Sequence, residues 1–238
     1  MRGGAGQGFR KTEVATGLTA ILAAGSPPSH RAALETLRTA ERLVACDGAW
    51  RTAASLGRNP DAVVGDGDSL GADGLSSLAS LGIPFVRMAG QDTNDLSKAF
   101  SYALESSRDG DRVAIVGATG MREDHSLGNI FRLVDFAVMH SSRCGFQERG
   151  EPGLSMVTDH GRFEPVMPPG RAWNVPAGHP VSVFAPVPGT KLSSNGLEWP
   201  IDCVDSDCLW RGTLNRAATG CFSVSTDKPA IVYIPHAS

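Results

Sequence analysis

Long hydrophobic runs are absent from the 238-residue sequence, and no apolar stretch approaches the roughly 20 residues that a transmembrane helix needs. The first ten residues are rich in glycine and polar side chains, which is not the pattern of a secretory signal. We therefore expect a cytoplasmic protein that does not bind membranes. We interpret residues 1–16 as a disordered tail or one added for expression.

The sequence also lacks an excess of basic residues and any cluster of cysteines. The formal net charge is −3 and the sequence pI is near 6.1, so no basic surface for nucleic acid is expected. The five cysteines are scattered, with no Cys-x-x-Cys pair and no histidine at zinc-ligand spacing. We expect reduced thiols that act as small packing groups.

What the first half does contain is a regular alternation of short β-rich segments and segments with helical periodicity. Residues 18–24, Arg42–Cys46 and Arg112–Val116 are apolar stretches of strand length. Between them, apolar residues recur at helical spacing, as in residues 33–40 and 95–106. Alternation of this kind predicts an α/β fold with a mostly parallel sheet covered by helices.

The pattern changes after Met139. Residues 141–153 are polar and have no clear period, which marks a candidate domain boundary. Beyond them, short apolar stretches alternate with turn residues, and this predicts a small all-β sandwich or partial barrel. We therefore divide the chain into an α/β domain at residues 17–145 and a β domain at residues 146–238.

The first of two acidic runs is Gly65-Asp66-Gly67-Asp68-Ser69, which follows the apolar residues 62–64. It is typical of a buried strand that ends in a loop, and ligands of open α/β sheets bind at that end of the strands. In an extended segment, Asp66 and Asp68 would face the same side and could share a hard cation such as Mg²⁺. The alternative is a polar turn with two solvated aspartates.

The second acidic run, residues 91–98, precedes a helix that we expect to begin near Asp95. Asp92 or Asn94 is placed to cap this helix, and a helix start favours an anion because its backbone N–H groups are unpaired. Lys98, one turn inside, would add a full positive charge. The alternative is an ordinary capped surface helix with a solvated lysine.

A third candidate is the loop that follows the predicted strand at Arg112–Val116. Its two glycines permit a tight turn, and Arg122 offers a planar fork that can bind phosphate oxygens. Asp124 and His125 add an acid and a titratable imidazole. A histidine beside a helix start is either a structural hydrogen-bonding group or a proton shuttle, and both readings stay open here.

Taken in order, these motifs resemble the thiamine pyrophosphokinase family over nearly all of the chain after the tail. The family's motifs match Asp47-Gly48-Ala49, then residues 65–69, residues 91–98 and residues 117–125, with Asn129 one turn further on. The resemblance implies a Rossmann-like nucleotide-binding domain followed by a β-sandwich. It also implies a homodimer with active sites where the two chains meet, thiamine and ATP as substrates, and Mg²⁺ as cofactor.

The resemblance also assigns roles to residues. Asp66, Asp68 and Asp95 would hold Mg²⁺ and, with Asp124, form the catalytic set. The resemblance leaves the proton acceptor open; our first choice is Asp95, with Asp47 or Asp124 as alternates. In the second half, Trp199 would stack on thiamine and Asn215 would line its pocket; a core aromatic and a turn residue are the respective alternatives. The residues implied in ATP binding are Asp47, Gln91, Lys98, Thr119, Arg122, His125 and Asn129.

The chain departs from the family pattern at three positions. Gly67 stands where Phe or Leu is usual, Gly90 where Asp is usual, and Asn94 where Thr is usual. Gly90 therefore cannot serve as a carboxylate, whereas Asn94 keeps an oxygen that can cap a helix. Three other functions remain as alternatives: diphosphate transfer to a pterin alcohol, a Mg²⁺-dependent glycosyltransferase, and a non-catalytic nucleotide or thiamine sensor.

Overall fold

The computed structural model describes residues 16–90, 93–145, 152–202, 209 and 212–237. Residues 1–15 of the predicted tail therefore lie outside the described residues. The first half alternates strands and helices in the order β1 (Leu18–Leu22), α1 (Arg31–Thr39), β2 (Arg42–Cys46), α2 (Trp50–Ser55), β3 (Ala62–Gly65), α3 (Gly71–Ser80), β4 (Phe85–Arg87), α4 (Asp95–Glu105), β5 (Arg112–Val116), α5 (Glu123–Cys144) and β6 (Leu154–Val157).

The strands of the first half form a parallel sheet in the order β6-β5-β1-β2-β3-β4. The side chains of the central strands are mostly buried, as expected for strands with helices on both faces, whereas those of the edge strand β4 are partly buried or exposed. On one face, α4 and α5 pack against each other through the stacked rings of Phe100 and Phe136, whose centroids are 4.2 Å apart. The predicted α/β class is confirmed.

The second half is antiparallel. Its strands are β7 (Gly161–Val166), β8 (Gly170–Asn174), β9 (Pro180–Phe184), β10 (Leu192–Asn195), β11 (Gly212–Arg216), β12 (Cys221–Thr226) and β13 (Ala230–Pro235). Four of them extend the first sheet beyond β6 in the order β7-β13-β9-β11, and the other three form a second sheet, β10-β12-β8. A separate apolar cluster, which includes Trp173, Phe222 and Val232, fills the core of this half.

The two halves therefore share one ten-stranded sheet, which the sequence pattern did not predict. Strand β6, grouped with the second half by its position after the polar segment, instead pairs in parallel with β5. Helix α5 makes this possible because it crosses over the sheet and returns the chain beside β5. The division at residues 145/146 stays a prediction.

Two helix ends are set by specific side chains and backbone. Helix α5 continues to Cys144, because His140 and Cys144 keep a buried face along it. Its end coincides with Gly145, which has a positive φ of 78°. At the start of α1, His30 provides the cap, since its Nδ1 accepts from the Ala32 N–H. None of the helices in the described part of the chain is long and apolar enough to cross a membrane.

His140 makes the fold sensitive to acid. Its side chain is 3% exposed on α5, and its Nε2 lies 2.9 Å from the Asp111 carbonyl oxygen. Burial lowers the pKa of His140 below the usual value of 6.5. The unfolded chain therefore takes up a proton near pH 6.5 that the folded chain resists, so stability is intact above that pH and falls below it.

We expect the urea midpoint of the protein to fall between pH 7.5 and pH 5.5 more steeply than that of a His140→Gln variant. Glutamine keeps a donor for the Asp111 carbonyl and has no titration in this range. If the urea midpoints of the two proteins fall equally with pH, His140 is not the cause of the acid sensitivity.

Candidate active site

The loops that follow β1, β2, β3 and β5 meet at the carboxyl edge of the parallel sheet, where α4 and α5 also begin. The loops after β1 and β5, the end of β2 and the starts of α4 and α5 surround a cavity of about 360 Å³. Five residues predicted to bind substrate or metal line it: Asp95, Thr119, Arg122, His125 and Asn129. The structure thus brings residues from two separate sequence motifs, 91–98 and 117–125 with Asn129, to one site, at the end of the sheet where ligands of such folds bind.

One wall of the cavity is formed by two loops that approach closely. The Gly25 N–H donates to the Gly117 carbonyl oxygen at 2.7 Å, and the Ser26 N–H donates to the Thr119 carbonyl oxygen at 2.9 Å. A Cβ on Gly25 would lie only 2.4 Å from the Gly117 oxygen. Glycine is therefore required at position 25 for the loops after β1 and β5 to join.

Beside the cavity, Asp47, Asp66 and Asp95 form an acidic cluster. One carboxylate oxygen from each lies within 4.8 Å of the other two. Asp47 is buried, and it fits there because Gly65 lacks a side chain: a Cβ on Gly65 would lie 2.6 Å from the Asp47 Cγ. Its Oδ2 accepts from the Gly67 N–H at 3.1 Å. Burial, followed by repulsion from Asp95, raises the pKa of Asp47.

Lys98 joins two carboxylates of the cluster. Its Nζ lies 2.9 Å from Asp66 Oδ2 and 3.0 Å from Asp95 Oδ1, and its side chain is 4% exposed. Burial opposes the charge of Lys98, but the hydrogen bonds with the two aspartates outweigh burial and raise its pKa. The same hydrogen bond from Lys98 lowers the pKa of Asp66. Lys98 is thus a buried ion-pair partner and not a solvated surface lysine.

Asp68 lies outside this cluster and is exposed. The prediction that Asp66 and Asp68 face the same side assumed an extended segment, but Gly67 between them has a φ of +93° and turns the chain. The Asp68 N–H instead donates to Asp66 Oδ1 at 3.1 Å, which is a local turn. Asp47 takes the place in the cluster that was expected for Asp68. The signal that could have identified it is its position directly after β2, the strand beside β3.

The cluster suits a magnesium ion. Carboxylate oxygens are the ligands that this hard cation prefers, and at Mg–O distances of about 2.1 Å adjacent ligands of an octahedral ion are about 3.0 Å apart. The three oxygens lie within 4.8 Å of one another, so they can reach one ion if they approach one another by up to about 2 Å. Three carboxylates and one ammonium leave a formal charge of −2, which a divalent cation neutralises.

The start of α4 is held against the cavity by asparagine side chains. Asn94 caps the helix, accepting from the Ser97 N–H at 3.0 Å, so the predicted cap at this position is confirmed. Its amide donates to Asn129 Oδ1 at 3.2 Å, and Asn129 in turn donates to the Ala118 carbonyl at 2.8 Å. Asn129 therefore links α4, α5 and the loop after β5. Gln91 and Asp92 lie outside the described residues.

Arg122 and Asp124 form an exposed pair at the start of α5. Arg122 Nε and Nη2 lie 3.1 and 2.6 Å from the two Asp124 carboxylate oxygens. The hydrogen bonds from Arg122 lower the pKa of Asp124 to about 2, which makes Asp124 a weak proton acceptor. The fork that was predicted to bind phosphate is thus engaged by a carboxylate of the same loop. His125 is exposed beside them, and its role stays a prediction.

In the second half, Trp199 is presented on the surface by Asn215. Trp199 is 53% exposed, so it is not a core aromatic of the sandwich. Asn215 is buried: its Oδ1 accepts from the Trp199 N–H at 3.2 Å, and its Nδ2 donates to the Trp199 carbonyl at 2.6 Å. Asn215 therefore holds the backbone of Trp199. The predicted contact of Asn215 with thiamine stays a prediction.

Trp199 and Asn215 lie far from the acidic cluster in the same chain. Asp66 follows β3, whereas Asn215 lies in β11 at the other edge of the sheet, with β2, β1, β5, β6, β7, β13 and β9 between them. At about 4.8 Å a strand, this is roughly 40 Å across the sheet. The structure thus brings together the predicted metal and nucleotide residues, but it does not bring the predicted thiamine residues to them.

Two family models match the chain, the catalytic domain of thiamin pyrophosphokinase over residues 33–144 and its substrate-binding domain over residues 161–233. A search of curated proteins found no match.

Among solved structures, thiamine pyrophosphokinase from Bacillus subtilis is similar, with 20% identity, 93% of this chain and 100% of that chain covered, and a TM-score of 0.68. A thiamin pyrophosphokinase family protein from Enterococcus faecalis has 16% identity, 92% and 99% coverage, and a TM-score of 0.71. Thiamin pyrophosphokinase from Candida albicans has 15% identity, 93% and 90% coverage, and a TM-score of 0.69. At these identities the structures are evidence for a shared fold.

Proposed function

Because the chain belongs to the thiamine pyrophosphokinase family, whose members transfer diphosphate from ATP to thiamine, we propose that the acidic cluster at the carboxyl edge of its sheet is the catalytic centre of that reaction. The protein is an ATP:thiamine diphosphotransferase, and its products are thiamine diphosphate and AMP. The observation that carries the proposal is the convergence of Asp47, Asp66 and Asp95 within 4.8 Å beside a cavity of about 360 Å³.

In this proposal Asp47, Asp66 and Asp95 hold Mg²⁺, and Asp68 does not. A bound Mg²⁺ would neutralise phosphate charge and stabilise the charge that develops on transfer. Lys98 keeps Asp66 and Asp95 close together before the ion binds, because its ammonium reduces their mutual repulsion. Gly65 is equally necessary, since no other residue leaves room for the Asp47 carboxylate.

The nucleotide occupies the cavity next to the cluster. The start of α4 directs backbone N–H groups toward it, and Lys98 supplies a buried positive charge one turn along. Thr119, His125 and Asn129 line the cavity and provide polar groups for ATP. Arg122 binds phosphate by exchanging Asp124 for a phosphate oxygen pair, which its planar fork fits equally well.

Asp95 accepts the proton of the thiamine hydroxyl. It lies where the cluster meets the cavity, so it is the cluster carboxylate that also lines the nucleotide site. Asp124 is less suited, because its pKa of about 2 leaves it little tendency to take up a proton. Thiamine must therefore approach from the open side of the cavity, near the start of α4.

The active site is completed by a second copy of the chain. The exposed Trp199 is the platform on which thiamine stacks, and Asn215 fixes its backbone. Roughly 40 Å of sheet separates this platform from the cluster in one chain, so one chain cannot bring thiamine to its own phosphates. In a homodimer with two sites between the chains, the platform of one chain can lie beside the acidic cluster of the other.

We also propose a cytoplasmic location. Cys46, Cys144 and Cys221 are free thiols, two of them buried in the core, which is the usual state of cysteines in a reducing compartment.

The activity is tested by incubating the protein with Mg²⁺-ATP and either thiamine or a pterin alcohol, then measuring nucleotide products. We expect AMP to form in equal amount to thiamine diphosphate, with no AMP from the pterin alcohol. AMP release with the pterin alcohol but not with thiamine would identify the pterin alcohol as the substrate. Tight binding of thiamine and ATP without AMP release would indicate a sensor.

A further inference from the structure

Arg87 lies against the acidic loop and, within the described residues, has no hydrogen-bond or ion-pair partner. It is the last residue of β4, where it is aligned with Gly65, and the Met88 N–H donates to the Gly65 carbonyl at 2.9 Å. Its guanidinium reaches Gly67: a Cβ at position 67 would lie 3.1 Å from Arg87 Nη2. The absence of a side chain at Gly67 therefore leaves the space in which the guanidinium sits, between the two acidic residues of the loop.

The guanidinium of Arg87 is unpaired within the described residues, whereas the other two cations at this edge of the sheet are paired with carboxylates. Lys98 is bound to Asp66 and Asp95, and Arg122 is bound to Asp124. Within the described residues, Arg87 makes no hydrogen bond or ion pair, although it is exposed beside an acidic loop. Asp66 cannot easily pair with it, since its Oδ2 accepts from Lys98 and its Oδ1 from the Asp68 N–H.

The order of the strands places Arg87 relative to the cavity and the acidic cluster, and this position indicates what its guanidinium can bind. Along the carboxyl edge, the cavity lies over the loops after β5 and β1, the acidic cluster follows at the ends of β2 and β3, and Arg87 stands at the end of β4. A nucleotide with its nucleoside in the cavity therefore directs its phosphates over the cluster toward β4. Its terminal phosphates reach β4, which lies beyond the cluster on that side of the sheet.

We propose that Arg87 binds the terminal phosphates of ATP, the two that are transferred, through the bidentate contacts that a guanidinium makes with phosphate oxygens. This inference rests on the proposed function of the cluster and adds a binding residue to it. The charge supports it: a triphosphate brings more negative charge than one divalent cation neutralises, and Arg87 is the cation whose donors are available without breaking an existing pair.

The test compares the binding of ATP and of AMP to the full chain by calorimetry, with Mg²⁺ and without thiamine. Arg87→Gln is expected to weaken ATP binding about 10- to 100-fold, the scale for a lost charge-assisted hydrogen-bonded pair, and to leave AMP binding unchanged. Arg87→Lys keeps the charge without the fork and is expected to fall between wild type and Arg87→Gln.

Arg38→Gln is the matched control, because Arg38 is an exposed arginine near the end of α1 whose pair with Glu35 is also exposed. It should bind ATP and AMP as the wild type does. Equal ATP affinity of Arg87→Gln and wild type would overturn the inference, as would an equal loss for ATP and AMP. Neither result depends on turnover, so failure of the proposed reaction would be seen separately, as a wild-type protein that releases no AMP.

Discussion

Replacing Asp66 with Asn is expected to reduce turnover of ATP and thiamine by at least about 10²-fold at saturating Mg²⁺, the scale seen when one transition-state electrostatic partner is removed. Asp66 is shared by two functions in the structure. Its carboxylate belongs to the acidic cluster, and its Oδ2 accepts the hydrogen bond that holds Lys98. Asn keeps the size of the side chain but removes its charge, so both functions are weakened together.

Asp95→Asn should lose turnover to a similar extent, because Asp95 also contacts Lys98 and additionally lines the cavity. Asp135→Asn provides the control. Asp135 is an exposed residue of α5 whose Oδ2 lies 3.8 Å from Arg132 Nε, and the loss of such an exposed pair should leave turnover unchanged. Thermal unfolding of all three variants checks that the fold is intact. Near-normal turnover of both Asp66→Asn and Asp95→Asn would refute the metal assignment.

Mixing two defective subunits is expected to restore activity. Asp66→Asn damages the acidic cluster, and Trp199→Ala removes the exposed ring that we assign to thiamine, a loss of roughly 10- to 100-fold for a stacking contact at limiting thiamine. If each site uses the cluster of one chain and the platform of its partner, a mixed dimer has one intact site. Random exchange at equal concentrations then gives about one quarter of wild-type activity.

The matched control is a mixture of Asp66→Asn with Asp95→Asn. Both substitutions lie in the same cluster, so every site in every dimer carries one of them and no activity should return. Recovery in this mixture, or none in the first, would contradict a site shared between two chains. Size-exclusion chromatography of the wild type should show a dimer.

Much of the first half could be predicted from local patterns. Strands β2 and β5 have the predicted bounds, and Asn94 caps α4 as its position before an apolar helical stretch indicates. These features depend on neighbouring residues alone: β-branched runs, helical spacing and a capping oxygen. The same reasoning placed the acidic residues at one edge of a sheet, because parallel strands end on the same side.

The membership of the cluster could not be predicted in the same way. Sequence spacing favoured Asp68, two residues from Asp66, but the chain turns at Gly67, whose φ is +93°, and Asp68 lies outside the cluster. Asp47 is 19 positions before Asp66, and only the pairing of β2 with β3 makes them neighbours. The contact also needs the missing Cβ of Gly65, a steric fact that spacing does not reveal.

Strand β6 differs from expectation for a similar reason, and the support of Trp199 by Asn215 was also not predicted. The pairing partner of β6 depends on where α5 returns the chain, and that helix runs on to Cys144, into the segment chosen as a boundary. The backbone of Trp199 is held by Asn215, 16 positions later, which uses both ends of its amide on it. Neither contact is local in sequence, so neither leaves a periodic signal.

In the proposed catalytic metal site, Asp47 and not Asp68 completes the set of ligands. The most direct measurement is the Mg²⁺ concentration needed for half-maximal AMP release by Asp47→Asn and by Asp68→Asn. We predict that Asp47→Asn requires at least about 10-fold more Mg²⁺ than the wild type, as expected when a charged ligand is lost, and that Asp68→Asn requires about the same as the wild type. The reverse order, with a raised requirement only in Asp68→Asn, would contradict the account.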